Sequence, residues 1–268
     1  MTSEHDLASQ TIKQALIEEH GFRETDETFD GNPILASGES VQMVTSSRDL
    51  IYSNHLEQEL EAEVFVFCSR HRSKSGKPSL LVHSTGNLGE EAAFGGSPQS
   101  LSVSVASLVS VALITLYEER NENSLSDFDV SLEVTHHGPT DLDTPMLFVE
   151  LGSDEAYWIH EAGARIVAQA AMKCAEATIA EESAIGFGGT HYASKFNKLV
   201  LSGEYRIGHM APKYALDEIT EQVVDQMIQR SAERVTAAVV DWKGTNAKQR
   251  DRFMPLLEQS DIEIIREG

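Results

Sequence analysis

The sequence predicts an α/β protein, a three-layer domain built around a mixed β-sheet. Helical and strand-like segments alternate along the whole chain, without a repeat or a Pro/Gly/Ser-rich linker. At 268 residues the chain can bury one large core without covalent staples. Three Gly-flanked histidine motifs follow apolar, strand-like runs, where open α/β sheets collect their ligands. They are His83-Ser84-Thr85-Gly86-Asn87, His136-His137-Gly138-Pro139-Thr140 and Gly188-Gly189-Thr190-His191-Tyr192. Residues 1–268 are therefore read as a single α/β catalytic domain.

The elements follow in order. Leu7 to His20 carries Ile12, Leu16 and Ile17 at helical spacing, with Gly21 placed to end the helix. Val41 to Thr45 and Val64 to Cys68 are short β-rich runs, and Gly31-Asn32-Pro33 and Gly95-Gly96 read as turns. Leu101 to Tyr117 is apolar on nearly every side and predicts a central buried helix. Ser102, Ser104, Ser107 and Ser110 interrupt it, which argues against a membrane span. Val130 to Val134 and Met146 to Leu151 predict core strands. Ser153 or Asp154 can cap a long helix carrying Trp158, Ile159, Ala162, Ile166, Ala170 and Cys174. A strand-like Lys198 to Leu201, a helix over Leu216 to Arg230, and strands at Val235 to Val240 and Ile262 to Ile265 complete the pattern.

Charge bounds the partners. A formal net charge of −22 repels nucleic acid unless the cations are gathered on one face. Arg70, Arg72, Lys74 and Lys77 precede the first histidine motif, Lys195 and Lys198 follow the third, and Arg206 and Lys213 flank His209. Cys68 and Cys174 lie in apolar stretches outside any C-x-x-C pair, as expected of buried free thiols in a reducing compartment. Glu4, His5 and Asp6 stand where a secretory leader would carry cations, so the expected location is cytoplasmic.

The ten histidines are not equivalent. His5, His20 and His55 sit among polar residues and are read as solvated; His160 is read as lying on the polar side of a helix. His71, His83, His136, His137, His191 and His209 fall in loops or at strand ends. Neutral imidazole is the commonest metal ligand, and two or three with a carboxylate suit zinc. The spacing matches no standard metal signature. Glu150 closes an apolar strand and needs a partner if buried, as ligand, histidine orienter or general base. Consecutive strand residues face opposite ways, so His136 and His137 reach one centre only if the chain bends at Gly138-Pro139. Gly86-Asn87 and Gly188-Gly189 are candidate oxyanion donors or ordinary tight turns. Neither a G-x-x-x-x-G-K-[ST] phosphate loop nor a G-x-S-x-G elbow is present.

Six ordered motifs resemble the archaeal and plant type of D-aminoacyl-tRNA deacylase. They are Ser69-Arg70-His71, the His83 and His136 motifs, Phe148-Val149-Glu150-Leu151-Gly152-Ser153, Gly186-Phe187-Gly188-Gly189-Thr190-His191-Tyr192-Ala193, and Gly208-His209 with Pro212-Lys213-Tyr214. Ser194 and Asn197 depart from the Pro and Thr the family carries after its His-Tyr pair. The resemblance implies a monomeric enzyme that hydrolyses the ester between a D-amino acid and the 3′ end of tRNA. It further implies about two Zn²⁺ ions per chain and a phosphorylase/hydrolase-like fold. On that footing His83, His136, His137 and His191 are the candidate metal ligands, and His83, His137, Glu150 and Asn87 the candidate catalytic residues. Arg70, Arg72, Lys74, Lys77 and Lys195 are the candidate tRNA contacts. Competing readings are a metal-free ester hydrolase assisted by a ribose hydroxyl, a metal-dependent hydrolase or phosphorylase acting on a small molecule, and a non-catalytic binding module.

Overall fold

A computed structural model describes residues 1–268 and resolves the expected single mixed sheet into several sheets flanked by helices. The principal elements are α1 (Leu7–His20), β1 (Phe65–Arg70), β2 (Ser79–His83), α2 (Ala106–Glu122), β3 (Asp129–Leu132), β4 (Met146–Gly152) and α3 (Glu161–Glu176). They continue with β5 (Glu182–Phe187), α4 (Ser194–Leu201), β6 (Ile207–Ala211), α5 (Glu221–Gln229), β7 (Arg234–Asp241), α6 (Ala247–Glu258) and β8 (Glu263–Glu267). An antiparallel unit of Arg23–Phe29, Asn32–Ser37 and Val41–Met43 covers one side of the N-terminal half.

The first sheet has the order β3-β2-β4-β1, with β4 antiparallel to β2 and the other pairs parallel. Side chains alternate across it. Leu147, Val149 and Leu151 join the main core with Leu80, Val82 and Cys68. The opposite face carries Phe65, Phe67, Met146 and Phe148 in a smaller core under the N-terminal strands. The same period of two puts Ser69, His83 and Glu150 on that second face, and His71 continues the β1 series. The sheet's alternation thus aims polar groups from three strands into one space.

The second sheet, β6-β5-β7-β8, is entirely parallel. Ala184, Ala237 and Val239 face the main core, whereas Ile185, Phe187, Ala238 and Val240 pack against Val223, Met227, Phe253 and Leu257 of α5 and α6. Strand order reverses between β5 and β7, and ligands of open parallel sheets sit outside the carboxyl ends at such a point. The loop after β5 carries His191. Residues 133–136 join the sheets: Glu133 N–H donates to Val82, Val134 N–H to His191 and Thr135 N–H to Met210.

Helix α2 starts at Ala106, later than the expected Leu101, which lies in a short strand; its first three turns, to Leu116, are mostly buried, as the composition predicts. Its first-turn N–H groups meet the Glu233 carboxylate, which accepts from Ser107 N at 2.7 Å, Ser107 Oγ at 2.6 Å and Ala106 N at 3.1 Å. The predicted helix after Asp154 is broken in two. Asp154 caps a short helix, Glu155–Trp158, and His160 caps α3 by accepting from Gly163 N at 3.1 Å. His160 is therefore a helix cap. His55 is half-buried, stacked on Phe29 and 3.5 Å from Asp30, so it is not the solvated residue expected. Lys198 to Leu201 is the end of helix α4 and not a strand; a run that short carries no period to decide between them. Helix α6 has no counterpart among the sequence expectations. Both cysteines are buried and free; burial pushes the Cys174 thiol up to about 12.

Candidate active site

His83, His136 and His137 converge. Their ring centroids are 4.2 Å apart for His83 and His136, 4.8 Å for His83 and His137, and 4.5 Å for His136 and His137. The bend that brings the adjacent pair together lies at His137 itself, whose φ of 46° is left-handed. Gly138 follows because a Cβ there would collide with the Gly95-Gly96 backbone and the Ile51 carbonyl.

The three rings share one hydrogen-bonding pattern. Nδ1 of His83 contacts the Ser84 carbonyl at 3.1 Å, that of His136 the Val134 carbonyl at 2.8 Å, and that of His137 the Gly138 carbonyl at 2.6 Å. A carbonyl only accepts, so each Nδ1 carries a proton, and in the neutral ring Nε2 keeps its lone pair. His83 Nε2 is buried without a hydrogen-bond partner. Ligating histidines are commonly oriented by such a bond on the remote nitrogen. The donor set fits a cation such as Zn²⁺: one ligand nitrogen from each of the three rings lies within 4.8 Å of the others. Burial, then the neighbouring imidazoles, hold His136 well below its ordinary pKa; the same causes lower His137 to about 4.

A carboxylate layer lies beside the imidazoles. Glu150 Oε1 accepts from Ser69 Oγ at 2.7 Å and lies 3.7 Å from His83 Nε2. His71 Nδ1 is 3.4 Å from both Glu150 Oε2 and Glu133 Oε1. Burial opposes charge on His71, but hydrogen bonds to the two carboxylates outweigh it and raise its pKa to about 11. Burial likewise opposes ionisation of Glu133 and Glu150, yet the histidines hold both well below the usual carboxylate range. For His83, burial is outweighed by Glu150 and the pKa is raised.

Glu133 is the residue that sequence reasoning missed. It is fully buried; its Oε1 lies 2.9 Å from His191 Nε2, and its Oε2 has no partner. An acid between Leu132 and Val134, just before a histidine pair, was the available signal. His191 contacts Tyr214 Oη through Nδ1 at 3.1 Å, so both its nitrogens are engaged. His209 lies outside the cluster. Its Nε2 lies 3.1 Å from the Ser102 and Arg230 carbonyls, and its Nδ1 accepts from Thr135 Oγ1 at 3.2 Å. Thr135 Oγ1 in turn accepts from Met210 N, so His209 braces the strand that carries His136.

The expected oxyanion donors are committed elsewhere. Gly86 N donates to His137 O at 2.8 Å, Gly188 N to Ala211 O at 2.8 Å and Gly189 N to Gly244 O at 3.4 Å. The Asn87 amide donates to the Gly95 and Ser97 carbonyls, which makes it a brace for that loop. Asn197, where the sequence departs from the family pattern, ties α4 to β3 by accepting from Leu132 N at 2.6 Å.

The cluster opens into a cleft of about 890 Å³ whose lining includes His71, His136, His137, His191, Phe148 and Glu150. A separate apolar cavity of about 660 Å³ beneath Val41–Val44 contains no histidine. Of the predicted tRNA contacts, Arg70 is occupied by Asp49 at 3.3 Å and by the His5 carbonyl at 3.0 Å. Arg72 lies 4.8 Å over the Trp158 ring and lines the cleft. Lys74 and Lys77 are exposed on the loop beyond it. Lys195 Nζ donates to the Gly268 backbone oxygen at 2.9 Å and does not line the cleft. No helix is long and apolar enough to cross a membrane.

Comparison with known proteins finds relatives over the full length of the chain. The sequence profile of the family described as D-aminoacyl-tRNA deacylase matches residues 58–265. A D-aminoacyl-tRNA deacylase of Thermococcus onnurineus (strain NA1) is 36% identical over 275 residues, covering 100% of this chain and 98% of the relative. One from Methanocaldococcus jannaschii is 34% identical over 272 residues, covering 98% and 96%. A crystal structure of a conserved protein of unknown function, AF0625, superposes with a TM-score of 0.89 at 30% identity, covering 99% of this chain and 93% of that one.

Proposed function

The chain belongs to the D-aminoacyl-tRNA deacylase family, and from that premise we propose that it hydrolyses the ester of D-aminoacyl-tRNA with metal assistance. The observation that carries the reading is the convergence of one ring nitrogen from each of His83, His136 and His137, with each imidazole pinned through Nδ1 and Glu150 beside His83. In the reaction, water adds to the ester carbonyl carbon and the bond to the 3′ oxygen of tRNA breaks. The leaving oxygen takes up a proton, and the D-amino acid leaves as its carboxylate.

His83, His136 and His137 would hold the first Zn²⁺. A second ion would draw on Glu133, whose Oε2 has no partner, and on His191 Nε2 once it gives up its contact with Glu133. Zinc supplies Lewis acidity toward the carbonyl and lowers the pKa of water toward about 7. Glu150, whose Oε1 accepts from Ser69 Oγ, would take a proton from the attacking water. His71, held as a cation between two carboxylates, orients Glu150 and Glu133. Asn87 shapes the loop at the cleft. Arg72, Lys74 and Lys77 are the cations free to meet acceptor-stem phosphates, with Arg70 and Lys195 in supporting positions. We read residues 1–268 as one phosphorylase/hydrolase-like domain acting as a cytoplasmic monomer.

The test is release of D-tyrosine from D-tyrosyl-tRNA by the purified chain, alongside L-tyrosyl-tRNA. Rapid release from the D-ester alone is expected. Equal turnover of both, or of neither, removes the reading.

A further inference from the structure

Phe94 is the most open of the exposed large apolar side chains, at 70% exposure, and it lines the cleft. Slack in the chain does not explain its exposure. The Phe94 carbonyl accepts from Gly138 N at 3.1 Å. The next carbonyl, of Gly95, accepts from the Asn87 amide at 2.9 Å, and Ser97 N donates to Thr140 Oγ1 at 2.9 Å. Gly95 itself is left-handed at φ 83°, where a Cβ would overlap the Ile51 carbonyl. A backbone this constrained holds a phenyl ring toward solvent, where it forgoes burial.

The place it is held is informative. Through Gly138 it is anchored one residue from His137, whose ring belongs to the imidazole cluster. In an aminoacyl-tRNA the ribose that bears the ester also bears the terminal base. A base therefore lies one sugar ring from the reacting carbonyl. Any nucleobase stacks on an uncharged aromatic face. Amino-acid side chains range from methyl to indole and gain no common contact from a fixed planar platform. We propose that Phe94 is the stacking platform for the 3′-terminal adenine of tRNA, forming a base subsite beside His137. Tyr214, 60% exposed and bonded to His191, lines the same cleft. This inference rests on the deacylase reading, which names the substrate.

The experiment uses deacylated tRNA whose terminal adenine is replaced by 2-aminopurine, together with steady-state kinetics on D-alanyl-tRNA and D-tyrosyl-tRNA. Stacking quenches 2-aminopurine emission. The wild-type chain and Phe94→Trp are expected to quench, and Phe94→Ala to lose the quench. Phe94→Ala should raise KM about tenfold for both esters, with kcat within about twofold of wild type. An unchanged KM, or an unchanged quench in Phe94→Ala, overturns the proposal. A KM effect confined to D-tyrosyl-tRNA also overturns it, since the ring would then read the amino-acid side chain. Failure of the wild-type chain to cleave either ester would remove the deacylase reading and this inference with it. Normal wild-type turnover with an indifferent Phe94→Ala removes the inference alone.

Discussion

Glu133 Oε1 lies 2.9 Å from His191 Nε2, a fully buried carboxylate fixing an imidazole at the cleft. Because Tyr214 occupies the other nitrogen, the ring cannot rotate without losing both bonds. The same oxygen faces His71 at 3.4 Å, so one side chain orients two imidazoles.

Glu133→Gln keeps the shape but removes the charge. Turnover should fall by about 10–100-fold with the fold intact, since partners of this kind contribute that much to metal affinity or rate. Kinetics at saturating D-tyrosyl-tRNA, with circular dichroism as the folding control, checks this. Turnover within about twofold of wild type would place Glu133 outside the working site.

His83→Ala removes the buried Nε2 that has no protein partner. Zinc bound after dialysis should fall and deacylation should be lost, with secondary structure retained. Elemental analysis reads the first effect independently of the second. Undiminished zinc would exclude His83 as a ligand.

His209 is buried, and that burial lowers its pKa to about 4. Protons therefore bind the unfolded chain, near 6.5, before the folded one. The stabilisation is complete above about pH 6.5 and is lost as pH falls toward about 4, roughly 3 kcal/mol in all. Denaturant titrations across that window should show a steeper loss for wild type than for His209→Gln. Equal slopes would mean that another group sets the acid limit.

Glu233 receives the first-turn N–H groups of the central helix. Glu233→Ala leaves Ala106 N and Ser107 N unsatisfied in a buried setting, and about 2–4 kcal/mol of stability should be lost. The unfolding midpoint should drop by roughly 5–10 °C, and calorimetry would show it. A drop of less than about 2 °C would indicate that water satisfies the helix end.

Much of the site is legible in the sequence because strand alternation and glycine placement are local. His83, His136, His137, His191 and Glu150 converge as residues at strand ends should, and Leu7–His20 with Gly21 follows its periodicity and cap. What escapes is set by partners remote in sequence. Glu133 becomes a hub only because His71 and His191 fold onto it. Gly86, Gly188 and Gly189 resemble free donors until the strands that consume their N–H groups are in place. Arg70 counts as a free cation until Asp49 and the His5 carbonyl reach it. Helix α4 defeats a local reading because its three-residue apolar tail, Leu199 to Leu201, fits a strand equally well.

The segment 133–136 has a consequence for how the molecule fails. Its N–H groups are distributed between Val82 on one sheet, Met210 on the other and His191 on the loop that follows β5. Neither sheet can open locally without tearing this shared edge, and the imidazoles hang from it. Catalytic competence is thus a sentinel of the native state. As denaturant rises, activity should disappear with or ahead of the first cooperative unit to melt, and a chain with half its sheet structure intact should already be silent.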